Sequence, residues 1–424
     1  MRITKELNER LTRVGPGTPM GELFRRYWIP ACLSEEIPEP DSPQVRVRIL
    51  GEDLIAYRDS SGAVGLVDAY CPHRKAPMFF ARNEECGLRC VYHGWKFDTL
   101  GNCVDMPTEQ PDSKFRYRVT MKAYPTYEAA GIVWTYMGPQ EHTPEVPDQE
   151  WMRAPATHRR VSKSGEHCNF LQAIEGGIDT AHSSFAHNND LENPRLLRNL
   201  DRHPKLDVDF TDYGFRYASL RNVGNDTTYL RIYQFLLPSQ QCRGFLVGLD
   251  GKTPEMPGMY GHIWVPIDDE NVMVYNTLAS ADIDHPISDE WWDAHESEMG
   301  RGVPERIPGT YWLQRNAAND YLIDREVQRT KTFTGIEGVN TQDYAIQEGM
   351  GAIVDRSTEA LGSTDRAVLA CRRMLLKLMD EMETGTAPAG TEPETYREVR
   401  GADALVPTGT DWRDAAKEMT LTYW

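Results

Sequence analysis

The sequence predicts an α+β chain in which an all-β N-terminal region precedes a mixed region of strands and helices. Three observations predict it. Short alternating and apolar runs, separated by Gly-bearing turns, fill the stretch from Tyr27 to about Gly138. A segment rich in Gly, Pro and acid follows, from Gly138 to Pro147. Beyond it, strand-like runs come first and long helix-period segments last.

Taken in order, residues 1–26 are polar with helical spacing and are expected to form an arm rather than a core. Val45-Arg46-Val47-Arg48-Ile49-Leu50 alternates with period two, and Leu54-Ile55-Ala56-Tyr57-Arg58 is a short apolar run. Asp59-Ser60-Ser61-Gly62 is a turn signal ahead of the strand-like Ala63–Val67. Lys96-Phe97-Asp98 and Gly101-Asn102-Cys103-Val104 read as a hairpin, and Gly131–Tyr136 as a buried strand. Together they predict a small antiparallel sandwich or barrel-like domain over residues 27–140. A larger domain is expected over 141–382. In it, residues 169–182, 342–350 and 365–382 have helical patterns, and 205–280 is rich in strands. Residues 383–424, rich in Thr, Pro and Gly, are expected as a tail that either lacks fixed structure or wraps a neighbouring subunit.

The 424 residues carry a formal charge of −18, which excludes a general affinity for nucleic acid or for an anionic membrane. No stretch approaches the roughly 20 apolar residues of a membrane span. The first residues, Met1-Arg2-Ile3-Thr4-Lys5-Glu6, lack the apolar core of a signal peptide, so a cytoplasmic protein is expected. Eight cysteines are too sparse for a disulfide scaffold in a chain of this length.

Two of those cysteines belong to a paired spacing. Cys71-Pro72-His73 is followed by Cys90-Val91-Tyr92-His93 and then Gly94-Trp95. Two thiolates and two imidazoles are the ligand set of a Rieske [2Fe–2S] cluster, one iron taking two Cys and the other two His. The competing reading is a Cys2His2 zinc site. Against zinc, the first pair is Cys-x-His rather than Cys-x-x-Cys, both pairs fall on turns, and Arg74, Gly94 and Trp95 follow where they can pack over a cluster. Cys86 lies between the pairs but has no second ligand beside it.

A second constellation starts at Asn169. Asn169, Gln172, Glu175, Asp179 and His182 recur every three or four residues, which aligns them on one helix face. Apolar neighbours imply burial, and a buried polar stripe must be hydrogen-bonded or metal-bound. His182 and His187 are five apart, about 140° around an ideal helix, so both reach one metal only if the helix distorts or ends between them. Two His and one carboxylate form the facial triad of non-haem Fe(II) oxygenases. Residue type alone leaves that carboxylate open among Asp320, Asp324, Asp343, Glu348 and Asp355.

With both motifs in place, the chain resembles the terminal oxygenase α subunit of Rieske non-haem iron oxygenases, of the phthalate dioxygenase-like branch. The resemblance rests on Cys71-x-His73 with Cys90-x-x-His93, and on Glu175-Gly-Gly-Ile-Asp179-x-x-His182-x4-His187. It extends through Asn340-Thr341-Gln342-Asp343-Tyr344 and Asp355-Arg356-Ser357. It implies a helix-grip-like catalytic domain with an antiparallel sheet. It implies a [2Fe–2S] cluster on Cys71, His73, Cys90 and His93, and a mononuclear Fe(2+) on His182, His187 and Asp343. It makes Asp179 the bridging aspartate, hydrogen-bonded to His182 and to His93 of an adjacent subunit. The role of Glu175 is left open, because some relatives carry Asn there.

The resemblance further implies a homotrimer or stacked hexamer, and a partner reductase (flavin and iron–sulfur) or ferredoxin drawing on NAD(P)H. The reaction would insert oxygen from O₂ into an aromatic acid, in aromatic hydrocarbon catabolism. The product would be a ring cis-diol, a side-chain hydroxyl, or a hemiacetal that releases formaldehyde from a methoxy group, as in a dioxygenase or an O-demethylating monooxygenase. A carboxylate in an apolar pocket wants a cationic partner. Lys205, Arg216, Arg221, Arg231 and Arg243 are candidates, with Lys205 and Arg243 preferred. Two alternatives stand beside this reading: a Rieske electron-transfer protein without oxygenase activity, and a zinc-binding module.

Overall fold

The computed structural model describes residues 3–424. Helices α1 (Lys5–Thr12) and α2 (Pro19–Phe24) precede eleven strands: β1 (Trp28–Leu33), β2 (Val45–Ile49), β3 (Glu52–Arg58), β4 (Val64–Asp68), β5 (Arg82–Asn83), β6 (Leu88–Arg89), β7 (Lys96–Phe97), β8 (Cys103–Asp105), β9 (Ala123–Tyr124), β10 (Thr126–Ala129) and β11 (Ile132–Tyr136). They form three antiparallel sheets, ordered β1-β11-β10, β2-β3-β4-β9 and β5-β6-β7-β8. The alternation of residues 45–49 becomes a strand with Val47 and Ile49 buried and Arg46 and Arg48 exposed.

The second half contains α3 (Glu150–Arg153), β12 (Arg159–Glu166), α4 (Phe170–Ile178), α5 (Leu197–Leu200), β13 (Lys205–Phe210), β14 (Gly214–Gly224), β15 (Thr227–Leu236), β16 (Gln240–Phe245), β17 (Gly258–Pro266) and β18 (Val272–Ser280). Helices α6 (Asp289–Glu298), α7 (Arg325–Thr330), α8 (Val339–Gly349) and α9 (Arg366–Glu383), strand β19 (Ala402–Pro407) and helix α10 (Trp412–Met419) complete it. One antiparallel sheet runs β12-β18-β17-β16-β15-β14-β13. Strand β15 is shared, with Tyr233–Leu236 pairing β16 and Thr227–Ile232 pairing β19. Helices α4 and α9 cover one face of this sheet, and α10 packs Trp412 and Ala416 on Ala218, Leu230 and Ile232 of the other. The α+β class expected from the sequence is therefore the class observed.

Three expectations change. The N-terminal arm is part of the core: Leu11, Val14, Met20, Leu23 and Phe24 are fully buried, and Phe24 meets Phe170 edge-on at 5.1 Å. Their three- and four-residue spacing is an apolar face hidden in a polar composition. The tail is likewise fixed to its own chain, because β19 pairs β15 and α10 follows. The helix expected over 169–182 stops at Ile178, with Asp179 extended as its C-cap (ψ 133°) and a separate 3-10 turn over His182–Ser184.

Helix α4 sits unusually close to its neighbours. A Cβ on Gly176 would lie 2.0 Å from Nε2 of Gln347 on α8, and one on Gly177 would lie 2.2 Å from the Trp264 ring on β17. From the same helix Gln172 donates to the carbonyls of Gln347 (3.0 Å) and Gly351 (2.9 Å). Glu175 receives Arg356 at 3.0 Å and Arg372 of α9 at 2.6 Å. Both guanidinium side chains are essentially sealed from solvent, at 0% and 2% exposure.

The rigid Trp264 ring cannot yield as a flexible side chain can. Gly177→Ala is expected to cost about 1–3 kcal/mol. Gly349→Ala has open space around its new Cβ and ends α8, so it should be neutral or slightly stabilising; denaturant melts of the two variants check the contrast. Glu175→Ala strands the buried Arg356 charge and should cost about 3–5 kcal/mol, read in the same melts.

Candidate metal centres

Two loops carry the Cys/His pairs, and their backbones match. In the first, Cys71 N–H donates to the Ala76 carbonyl (2.9 Å) and Lys75 N–H to the Cys71 carbonyl (2.8 Å). In the second, Cys90 N–H donates to Trp95 (2.8 Å) and Gly94 N–H to Cys90 (2.9 Å). The fifth residue of each loop is left-handed, Lys75 at φ 58° and Gly94 at φ 75°. A Cβ at Gly94 would also approach Pro107 to 2.8 Å, so glycine serves both the turn and the contact. The second loop caps the β6–β7 hairpin, and an isolated bridge between Tyr70 and Pro77 closes the first.

The loops bring the four side chains together. Cys71 and Cys90 are buried, and the His73 and His93 rings stand 4.5 Å apart. Trp95 stacks on His73 at 4.1 Å and anchors itself through Nε1 to Thr108 (3.1 Å). The set fits a cluster on two grounds. Burial, with Cys90 alongside, pushes the Cys71 thiol up to about 11, so a thiolate there calls for a bound cation. Nδ1 of His93 is buried without a hydrogen-bond partner, as a ligand atom aimed inward would be.

The second centre forms where α4 ends. His182 and His187 lie beyond the helix, so its regular geometry no longer keeps their rings apart. Their Nε2 atoms face each other at 2.9 Å. Oδ1 of Asp343, from the middle of α8, lies 3.6 Å from His182 Nε2 and 3.3 Å from His187 Nε2. Donors held at about 2.1 Å around one octahedral cation stand about 3 Å apart, so this triad has the size of a metal site. One ligand atom from each of the three lies within 4.8 Å of the other two, close enough to share one ion.

Neighbouring groups orient both rings. Asp179 accepts from Ala181 N–H (2.8 Å) and His182 N–H (3.1 Å), and its Oδ2 lies 3.3 Å from His182 Nδ1. Gln342 accepts from His187 Nδ1 at 2.9 Å and donates to Asn189 (2.7 Å) and to the Ile336 carbonyl (2.9 Å). In each ring the outer nitrogen is engaged, which leaves Nε2 for a metal. Burial opposes charge on Asp343, yet the two imidazoles outweigh it and hold the carboxyl below its ordinary value. Burial likewise opposes a cationic His182, yet Asp179 and Asp343 outweigh it and raise its pKa.

The structure separates the candidate anchoring cations by strand parity. Lys205 is exposed on the α10 side of the sheet, in a polar groove of about 480 Å³ with Trp412 and Arg413, and is not brought to the triad. Arg216 faces the same side, against Asp209 (3.3 Å). Arg221 braces the His182 turn through the Thr180 carbonyl (2.7 Å) and Ser184 Oγ (3.1 Å). Arg231 lies over Tyr233 at 5.0 Å and 3.9 Å from Asp403. Arg243 faces α4, its charge acts on His182, and among the described residues its one side-chain hydrogen bond is a long contact to Gln241 (3.5 Å). Burial and the charge of Arg231 push its pKa down, an environment that favours an added anion.

Sequence reasoning missed Gln342 as a support, although it adjoins Asp343. It also missed the use of Glu175, which ties α4 to α9. The remaining stripe residues are structural: Asn169 caps α4 and donates to the Thr12 carbonyl (2.9 Å).

Residues 27–127 match the Rieske [2Fe-2S] domain, and residues 135–422 match the family described as LigXa C-terminal domain like. The chain is 39% identical to the phthalate 4,5-dioxygenase oxygenase subunit of Pseudomonas putida, over 97% of this chain and 94% of that one. It is 32% identical to the 5,5'-dehydrodivanillate O-demethylase oxygenase subunit of a Sphingobium species, over 98% of this chain and 88% of that one. Its fold is similar to that of dicamba monooxygenase bound to dicamba, with a TM-score of 0.59 at 18% identity, covering 85% of this chain and 99% of that one. Two domain matches that span most of the chain, and relatives matched nearly end to end, place it: the chain belongs to the Rieske non-haem iron oxygenases, as a terminal oxygenase subunit.

Proposed function

We propose that this oxygenase subunit acts on an aromatic carboxylate anchored by Arg243. The observation that carries the reading is Arg243 itself: a guanidinium turned toward the triad, with no carboxylate partner within salt-bridge reach among the described residues. Support comes from the relatives, one a phthalate dioxygenase subunit and one an O-demethylase subunit.

In this reading each site residue has a role. Cys71, His73, Cys90 and His93 would hold the cluster, and His182, His187 and Asp343 would hold the iron. When bound, the cluster relays single electrons and the mononuclear iron activates O₂. Asp179 and Gln342 keep both imidazoles in the tautomer that presents Nε2. Arg243 holds the carboxylate and so fixes the ring relative to the triad. Where the ring lies then selects between a ring diol and loss of a methoxy carbon as formaldehyde. Assaying both products over a panel of phthalates and methoxybenzoates separates the two outcomes.

A partner reductase (flavin and iron–sulfur) or ferredoxin drawing on NAD(P)H, in the cytoplasm, would supply the electrons. The cluster loops belong to a small core separate from the one that holds α4. With Nδ1 of His93 turned inward, its Nε2–H is left to face outward, beside the exposed Val91 and Tyr92. Among the described residues Asp179 accepts at three points, which leaves its carboxylate room for one more donor. A homotrimer or stacked hexamer in which His93 of one subunit meets Asp179 of the next uses both features.

Asp179→Asn should keep both metals, by iron content and the Rieske EPR signal, yet lower turnover by about a hundredfold or more. Full turnover would remove the bridging role. Arg243→Gln should raise KM for an aromatic acid by about 10–100-fold and far less for its amide. An equal rise for both compounds would eliminate Arg243 as the anchor.

A further inference from the structure

His262 lies on β17, directly across from Gln241 of β16 on one side and Asn276 of β18 on the other. It shares a strand face with Trp264, the residue that meets Gly177 of α4, and so faces the same space as the triad. It is nine-tenths buried, with 9% exposure. Its Nδ1 lies 2.9 Å from Asn276 Oδ1, and among the described residues its Nε2 has no hydrogen-bond partner.

The tautomer of this ring is determined from one step further out. Asn276 Oδ1 also receives Nη1 of Arg301 at 2.9 Å. Arg301 can only donate, so the atom facing it must be the amide oxygen and not the nitrogen. An amide oxygen can only accept, so Nδ1 of His262 carries the hydrogen. Arg301 is itself held by Glu296 (2.8 Å) and Asn340 (2.8 Å), and the relay is buried throughout. Nε2 is then a bare lone pair. Burial, with Arg243 and Arg301 near by, holds the ring neutral, well below the ordinary histidine value.

A bare acceptor repels a carboxylate and requires an O–H or N–H. Arg243 lies two residues from Gln241, the cross-strand partner of His262, so the two positions are diagonal neighbours about 7–8 Å apart on one face. Both side chains therefore border one space on this face, where a single ring bearing two polar substituents can meet both. We propose that His262 reads a hydrogen-donating ring substituent, accepting a hydrogen bond at Nε2 from a hydroxyl or amine of the aromatic acid whose carboxylate Arg243 holds. The substrate class is then a hydroxylated or aminated aromatic acid, and this inference rests on the Arg243 reading above.

The test is equilibrium binding to the anaerobic holoenzyme, using a hydroxybenzoate-type acid and the same acid without its hydroxyl. The wild-type protein should prefer the hydroxylated acid by about tenfold or more. His262→Phe should bring that ratio close to one, whatever happens to turnover. Asn276→Asp supplies a carboxylate that draws a second proton onto the ring, so Nε2 becomes a donor. In that variant the preference should move from the hydroxyl to a second carboxylate on the ring. A role confined to packing would weaken both acids together and leave the ratio unchanged, which overturns the proposal. Equal wild-type binding of the two acids overturns it as well and leaves the Arg243 reading standing. Binding of neither acid overturns both. If His262→Phe does not fold, the wild-type ratio and Asn276→Asp decide.

Discussion

Gln342 is 155 positions from His187 in the chain, yet its amide oxygen stands 2.9 Å from a nitrogen of that ring. The approach of α4 to α8 makes this possible, and everything chemical in the second domain depends on it. His182 and His187 leave α4 just past its end, and Asp343 sits in the middle of α8. A pair of glycines removes the bulk between α4 and its neighbours, and Gln172 stitches the two segments through carbonyls near the end of α8. Facing ring nitrogens and a carboxylate repel or desolvate one another unless something holds them. Here the packing of α4 against α8 brings them to metal-site spacing.

Charge is divided between the outside and the inside of the molecule. The chain as a whole carries −18, while the sheet face beneath α4 gathers Arg221, Arg231, Arg243 and, through Asn276, Arg301. Most of these cations have structural duties, to carbonyls, to aromatic faces or to Glu296. Arg243 has the fewest, with one long side-chain contact to Gln241 among the described residues. The neutral His262 sits beside it with one nitrogen committed and the other open. In the proposed binding mode, one pole suited to an anion and one suited to a hydrogen donor would fix both the charge and the orientation of a guest.

The cluster loops follow a different logic. Their ligands come from two short turns with matched backbones, so the local chain alone shapes that site. Their surroundings are exposed and apolar, with Val91, Tyr92, Phe115 and Tyr117 open to solvent. The triad, by contrast, is enclosed by helices and a sheet. One site is thus presented on a surface tip, and the other lies below a helix end.

What the sequence determined by itself was the local chemistry. Cys71, His73, Cys90 and His93 lie within two turns, and His182 and His187 within one segment, so spacing along the chain is enough to mark them. The strands and the helix-period segments were legible for the same reason, because apolar periodicity is a local property. The apolar face of α1 and α2 was obscured by polar composition, and the tail by its Thr and Pro content, although both find partners far away in the chain. Only the tertiary structure decided the rest. Asp343 was one acid among several until α8 carried it to the histidines. Lys205 and Arg243 were equal strand cations until sheet register turned one toward α10 and the other toward α4. His262 was a solitary histidine until Asn276 and Arg301 set its tautomer. Side-chain direction on a strand reverses with every residue, and hydrogen-bond relays cross between strands, so these outcomes belong to pairing and packing and not to any local run of residues.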